Sequence, residues 1–414
     1  YDPNTANKFV VIYRDVGNSE YGTACVGTVS GSSISFGTPV VFESNKVEYV
    51  QIVSDPNNAN KFLIGYKDDD GGDGKAIIGT VSGTTISFGS IAAHTTTGCS
   101  FTSVAFDPNT ANKFVIAFQR GANSDYGECF VGTVSGTSIS YGSRVVFESS
   151  NTRNITVAFD PNTADKFVIA YRDAGDSDKA KAIVGTISGT TPSFGTAVEY
   201  YDNTDDNFQT TVTFDPNTAN KCILTYADDD DSDKGYALVG TVSGTTISFG
   251  TAVLFESSGV FYADVAFDPS VANQFVVSYG DTGNSQYGTL SVGTVSGNSL
   301  SFATPIIFNA GQAAYKGMDF DPNTDGKFVI AYQDGGNSDY GTAILGQTAT
   351  TTIATNLTTT NFIGTSTAAY SDTETATILL KGGISTNQSG LTTGSDYYVQ
   401  EDGTLATSAD TTSV

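Results

Sequence analysis

The chain of 414 residues has no tryptophan, one histidine (His94), one methionine, and only 19 lysine and arginine side chains against 44 aspartates and glutamates. A formal net charge of −25 would repel phosphate backbones and anionic lipid surfaces, so nucleic acid is not expected as a partner. No stretch approaches the roughly 18 apolar residues of a membrane-spanning helix, and membrane insertion is not expected either. A lone histidine cannot complete a Ser/His/Asp relay without a matched nucleophile and orienting acid, and no G-x-S-x-G elbow occurs; a surface contact is the reading for His94. The five arginines (Arg14, Arg120, Arg144, Arg153, Arg172) do not form the clustered set that would accompany the paired carboxylates of a glycosidase. Without tryptophan, any stacking on sugar rings would fall to residues such as Tyr200, Tyr201 and Tyr262.

Cysteine is also sparse. Cys25, Cys99, Cys129 and Cys222 share no spacing and form no C-x-x-C or Cys/His cluster. They read as buried thiols, with a Cys99–Cys129 bridge as the alternative. Lysine, glutamate and leucine are scarce while glycine, threonine, serine, tyrosine and phenylalanine abound, a composition suited to pleated sheet rather than helix.

What the chain does contain is one phrase written seven times. "DPNTANKFVVIYRDVGNSEYGT" at Asp2 returns nearly unchanged at Asp107 and Asp321, and Asp-Pro anchors stand at Asp2, Asp55, Asp107, Asp160, Asp215, Asp268 and Asp321, 52 to 55 residues apart. A period near 50 with several short strands per unit is that of propeller blades. Tyr1 occupies the slot that Phe106, Phe159, Phe214 and Phe267 fill before the anchor. The chain is therefore expected to begin inside a repeat, as a processed product or a piece of a longer polypeptide.

The third unit shows the grammar. "FTSVAF" (101–106) alternates, "KFVIAF" (113–118) is apolar on both faces, "ECFVGTVS" (128–135) alternates, and "SISYGSRVVF" (138–147) closes the unit. A strand apolar on both faces must be covered on both sides, as an interior blade strand is by its neighbours. In "DPNT" the aspartate accepts a hydrogen bond from backbone two residues on and proline presets the turn, and in "VSGTS" Ser-Gly supplies a tight hairpin. The expected fold is all-β: a seven-bladed β-propeller over 1–346, a Thr-rich closing strand or linker at 347–361, and a small β module at 362–414 that is incomplete.

Antiparallel order places the turn between strands one and two and the turn between strands three and four on one side of the ring. The loop between strands two and three and the link from strand four to the next unit lie on the other. The first pair is nearly invariant. The second runs from "DVGNSEYG" (15–22) to "DDDDSDKG" (228–235), and from "FESNKVEY" (42–49) to "AAHTTTGCSF" (92–101) and "YYDNTDDNF" (200–208). Drift in unconstrained loops explains variation, but a ligand face also explains why both tolerant loops share a side. Its candidate residues are His94, Arg120, Tyr200, Tyr201, Asp202, Asp205, Asp206 and Tyr262.

Directly after strand two, six units carry an aspartate (Asp15, Asp68, Asp173, Asp228, Asp281, Asp334) and the third carries Arg120. Hard carboxylate oxygens suit Ca²⁺, most of all Asp228, Asp229, Asp230, Asp231 and Asp233, although no EF-hand spacing is met. A loop-opening Asx turn explains the single aspartates more simply.

Beyond 361 the wording changes. "FIGTSTAAYSDTETATILLKGG" (362–383) and "GLTTGSDYYVQEDGTLAT" (390–407) read as short strands, the latter a hairpin turning at Glu401-Asp402-Gly403. This tail resembles a small β module common near the C-termini of tailed-phage fibre and other virion-surface proteins. The "FDPNTANKFVIAYRD" and "YGTAIVGTVSGTSISFG" wording of the units resembles repeats of marine bacterial and viral surface proteins. The resemblance implies a non-enzymatic, extracellular or virion-surface binding or structural protein. Its expected partners are a host cell-surface glycan or protein, other virion proteins, or copies of itself through the C-terminal module. The alternatives are a secreted or surface-anchored bacterial adhesin, and a propeller hydrolase.

Overall fold

The computed structural model describes residues 1–202, 209–228 and 231–348, together with four short strands in the tail. The chain divides into Tyr1–Thr348 and Ala349–Val414. In the second part Gly364–Ser366 pairs with Ile378–Leu380, and Tyr398–Val399 with Leu405–Ala406. The latter pair flanks the expected Glu401-Asp402-Gly403 turn, which itself lies outside the described residues.

Within Tyr1–Thr348 every pairing is antiparallel and the same four-stranded unit recurs. In the third unit the inner strand Cys99–Phe106 pairs with Lys113–Arg120, which pairs with Tyr126–Ser135. The expected continuous fourth strand is instead two strands, Ser138–Tyr141 and Val145–Glu148, both paired with the third. The break falls at Gly142, where a Cβ would stand 2.0 Å from the Thr190 carbonyl oxygen of the next unit. The second strands are covered on both faces, as their two-sided apolar pattern predicts: Phe114 through Phe118 are all fully buried.

The inner strands of successive units lie side by side and exchange polar contacts. Ser103 Oγ donates to Gln51 Oε1 at 3.0 Å and accepts from the Val157 amide at 3.1 Å. The last repeat meets the first by the same contacts that join the others: Asn323 Nδ2 donates to the Asp2 and Pro3 carbonyls, as Asn4 Nδ2 does to those of Asp55 and Pro56. Tyr1, Phe9 and Val29 share a buried cluster with Val329. Unit one starts at its second strand, Lys8–Asp15, and the last described strand of unit seven is its third, Tyr340–Gln347. The Thr-rich 347–361 segment lies, after Thr348, outside the described residues.

The Asp-Pro anchors do more than turn the chain. One oxygen of each carboxylate accepts the amide two residues on at 2.8 to 2.9 Å, in all seven units. The other oxygen reaches a neighbouring unit: Asp2 accepts from Asn60 N, Asp160 from Asn220 N, and Asp321 from Asn7 N, at 2.6 to 3.0 Å. Those donor residues sit at φ of 61 to 63°, a left-handed conformation that asparagine tolerates. The anchor aspartates from Asp55 to Asp321 are at most 1% exposed; the second oxygen of Asp55 accepts from Asn58 Nδ2 and that of Asp268 from Thr348 Oγ1, while those of Asp107 and Asp215 are buried without a partner.

All four cysteines are buried and free, in keeping with the thiol reading and not with the Cys99–Cys129 bridge. His94 departs from expectation: it lies in the interior, not at the surface. It occupies the fourth-strand position held elsewhere by Phe42, Phe147, Phe255 and Phe308 and by Tyr200, and packs 4.6 Å from the Phe118 ring. Both imidazole nitrogens are buried without a hydrogen-bond partner, and burial lowers the pKa from 6.5 to about 3.

Two outcomes follow from these contacts. Asp160→Ala strands the amides of Asn162 and Asn220 and should cost about 3 kcal/mol in denaturant unfolding, whereas Asp70→Asn in an exposed loop should stay within about 0.5 kcal/mol. His94→Phe should gain about 1 kcal/mol or more by removing an unpaired polar ring. Because the folded pKa is depressed, the native protein should hold full stability from this residue above pH 6.5 and lose it toward pH 3, by up to about 1.4 kcal/mol per pH unit. Stability measured between pH 7 and 5 should be flatter in His94→Phe.

Candidate binding face

The two sets of connections segregate by face. On one side the turn between strands one and two holds the hairpin that follows strand three: Val29, Val81, Val134, Val242 and Val295 donate their amides to the carbonyls of Asn7, Asn60, Asn112, Asn220 and Asn273. On the other side the link from strand four binds the loop between strands two and three. Cys99 N donates to Gly72 O, Thr152 N to Asp125 O, and Val260 N to Asp233 O, at 2.8 to 2.9 Å. The described parts of the variable loops therefore lie together on one side, the rim.

Within that rim four of the six strand-end aspartates act as the Asx reading requires, and Asp15 makes no such bond. Asp68, Asp173, Asp281 and Asp334 each accept the amide two residues on, and Asp228 accepts that of Asp231. Their remaining capacity goes to neighbouring side chains: Asp68 to Lys75 and Asn45, Asp173 to Lys181 and Ser150, Asp281 to Ser258, and Asp334 to Asn309. Among the described residues no group of three or more Asp, Glu, His or Cys side chains converges as a metal site. Asp228 is engaged by the Tyr201 hydroxyl and Asp231 pairs with Lys234 at 2.7 Å. Asp233 lies in the same loop, in the left-handed conformation at φ 59°. Asp229 and Asp230 lie outside the described residues.

The other candidates divide. Tyr200 takes the core aromatic position, bonding Thr210 Oγ1 at 2.7 Å and packing on Tyr226 and Phe249, so it supports the fold rather than the rim. Tyr201 stacks on Tyr226 at 4.8 Å. Arg120 turns toward Glu128, a buried carboxylate that also receives Arg144 and Asn123, and so balances an internal charge. Asp202 is exposed on the rim, while Asp205 and Asp206 lie outside the described residues. In unit two the rim carries an ion cluster in which hydrogen bonds from Lys46 and Lys67 hold the Asp69 carboxyl down to about 2.

Tyr262 belongs to a feature that sequence reasoning missed. Each inner strand with a described bulge carries a register shift near its rim end, and there Tyr49, Phe101, Asn154, Tyr262 and Tyr315 take φ of 46 to 51°. Bulky side chains rarely adopt this region, and such strain persists at positions that the surroundings over-determine. The rings pair between adjacent units: Tyr49 with Phe101 at 4.9 Å, and Tyr262 with Tyr315 at 4.5 Å. Tyr315 is 66% exposed. Lys316 stands 6.0 Å from the Tyr262 ring and donates to the Phe261 and Ala313 carbonyls, and burial pulls its ammonium down to about 7. Nearby Asp264 is pushed up to about 6 by burial, against the amides of Val265 and Met318 that it accepts. The available signal was an aromatic residue six positions before the Asp-Pro anchor, present in four units.

No protein-family model and no curated protein sequence matches the chain. Solved structures do. The BP39L lectin from Burkholderia pseudomallei aligns with a TM-score of 0.59 at 8% identity, over 84% of this chain and 97% of that one. A candidate 6-phosphogluconolactonase from Bacteroides uniformis aligns at 0.53 and 8% identity, over 81% and 94%. Sqt1 from Chaetomium thermophilum, solved bound to the N-terminus of ribosomal protein L10, aligns at 0.52 and 11% identity, over 81% of each chain. At these identities the likeness shows the fold alone, an all-β propeller-like array of antiparallel sheets.

Proposed function

We propose that the chain is a seven-bladed propeller acting as a non-enzymatic binding protein of a virion surface, of tail-fibre type, which presents its loop rim to a host surface. One observation carries the reading. The repeat-to-repeat staples consume one face, whose connections are nearly invariant, and the connections that differ most between copies lie on the other, where the strained aromatic row also opens. The blade count rests on the seven anchors and on the contacts of Asn323 and Asn7 that join the last unit to the first. Support for binding over catalysis comes from the strand-end carboxylates Asp68, Asp173 and Asp281, whose oxygens are taken up by loop amides, lysines and hydroxyls, leaving no pair among them poised as acid and base. The virion assignment rests on the wording of the tail, and an extracellular or virion-surface location goes with it.

The rim reading is tested by comparing two sets of variants on a glycan microarray and on intact bacterial cells. Charge reversal at Asp229 and Asp230, or removal of 202–207, which spares the core residue Tyr200, should lower binding about tenfold while the unfolding midpoint stays near that of the native chain. Asn109→Ala, which removes an interface hydrogen bond on the opposite face, should lower stability by about 1 kcal/mol and leave binding unchanged. Binding that survives every rim change and disappears with changes on the hairpin side would reverse the assignment.

A further inference from the structure

The residue before the strand-end aspartate is long in five units: Arg14, Lys67, Gln119, Arg172 and Gln333. In units five and six it is Ala227 and Gly280. This position pairs directly with the inner strand at its rim end, as Glu48 with Lys67, Ser100 with Gln119, and Phe261 with Gly280. Two consecutive truncations therefore remove side-chain volume at one place on the rim.

A cleft of about 140 Å³ lies there, lined by Gln209, Ala227, Asp233, Val260, Phe261, Ala263 and Thr282. A cavity of about 150 Å³ holds one six-membered ring. One wall is apolar, with the Phe261 ring 4.1 Å from that of Tyr262, while an amide, a carboxylate and a hydroxyl stand among the other lining groups. No lining residue is cationic. The walls are held by backbone: Val260 N donates to Asp233 O at 2.8 Å, and Lys316 Nζ donates to Phe261 O at 3.1 Å.

We propose that this cleft between units five and six binds a single neutral sugar ring, the aromatic wall taking its C–H face and Asp233, Gln209 and Thr282 taking its hydroxyls. An aromatic surface beside a few convergent polar groups is what a saccharide requires. The lone carboxylate, in a chain of net charge −25, disfavours sialylated or sulfated rings. The inference rests on the reading of the rim as a binding face and names the ligand class for one part of it.

The test uses the full chain on a microarray of neutral and sialylated oligosaccharides, followed by titration calorimetry with the best-retained neutral sugar. Ala227→Gln restores the side chain that units three and seven carry and should fill the cleft. Asp233→Asn keeps a residue that tolerates φ 59° and removes the charged acceptor. Each should weaken neutral-sugar affinity about tenfold or more, with melting temperatures within about 2 °C of native. Should Ala227→Gln melt much earlier, Asp233→Asn decides alone. Retention of no neutral glycan, preference for sialylated ones, or native affinity in Asp233→Asn overturns the proposal. If both cleft variants bind normally while removal of 202–207 abolishes binding, the cleft assignment fails and the rim reading stands. If none of the three changes matters, both fail.

Discussion

The structure depends on one arrangement, an aspartate at the head of each repeat, buried in units two to seven, whose two oxygens serve different purposes. One closes the turn of its own unit, and in units one, four and seven the other accepts the amide of a left-handed residue in a neighbour. Hydrogen bonds to an ionised acceptor are worth about 1.5–3 kcal/mol each, and a buried carboxylate without them would be strongly unfavourable. In those units the anchor's hydrogen bonds are completed across the boundary, so folding of one repeat is coupled to the presence of its neighbour. The asparagine of "DPNT" adds a second tie by donating to the Asp-Pro carbonyls of the following unit.

That coupling explains the asymmetry of the two faces. Residues on the stapled side each hold two units together, so a change there disturbs an interface as well as a turn. On the rim, the recurring ties between loop and link run mostly through backbone amides and carbonyls, which any side chain can supply. The rim can vary in length and charge while its backbone pattern persists. It can also hold strain: four aromatic residues at positive φ cost about 1–3 kcal/mol each, and paired inner strands on either side fix them there.

Much of the fold was legible in the residues. The two-sided apolar "KFVIAF" strands, the Asp-Pro turns and the Ser-Gly hairpins each announce their roles by local pattern, because turn chemistry and strand burial act over a few residues. The loop aspartates were legible as Asx turns for the same reason. His94 and Tyr200 were assigned to the rim because their surrounding links are irregular, yet counting from "FG" in the fourth strand aligns both with Phe42 and Phe147. The contact of Arg120, a ligand-face candidate, with Glu128 was not legible, since Glu128 lies across a strand pair and out of its local context.

The sequence by itself determined the period, the strand order within a unit and the division into a nearly invariant and a variable face, because each follows from spacing and antiparallel geometry. Only the tertiary structure decided that the anchor carboxylate reaches into the neighbouring unit, that the inner-strand aromatics adopt a left-handed bulge, and that Ala227 and Gly280 open a cleft beside Phe261. Each of these joins residues some 15 to 60 positions apart, and local propensity carries no record of which side chain will stand opposite a missing one.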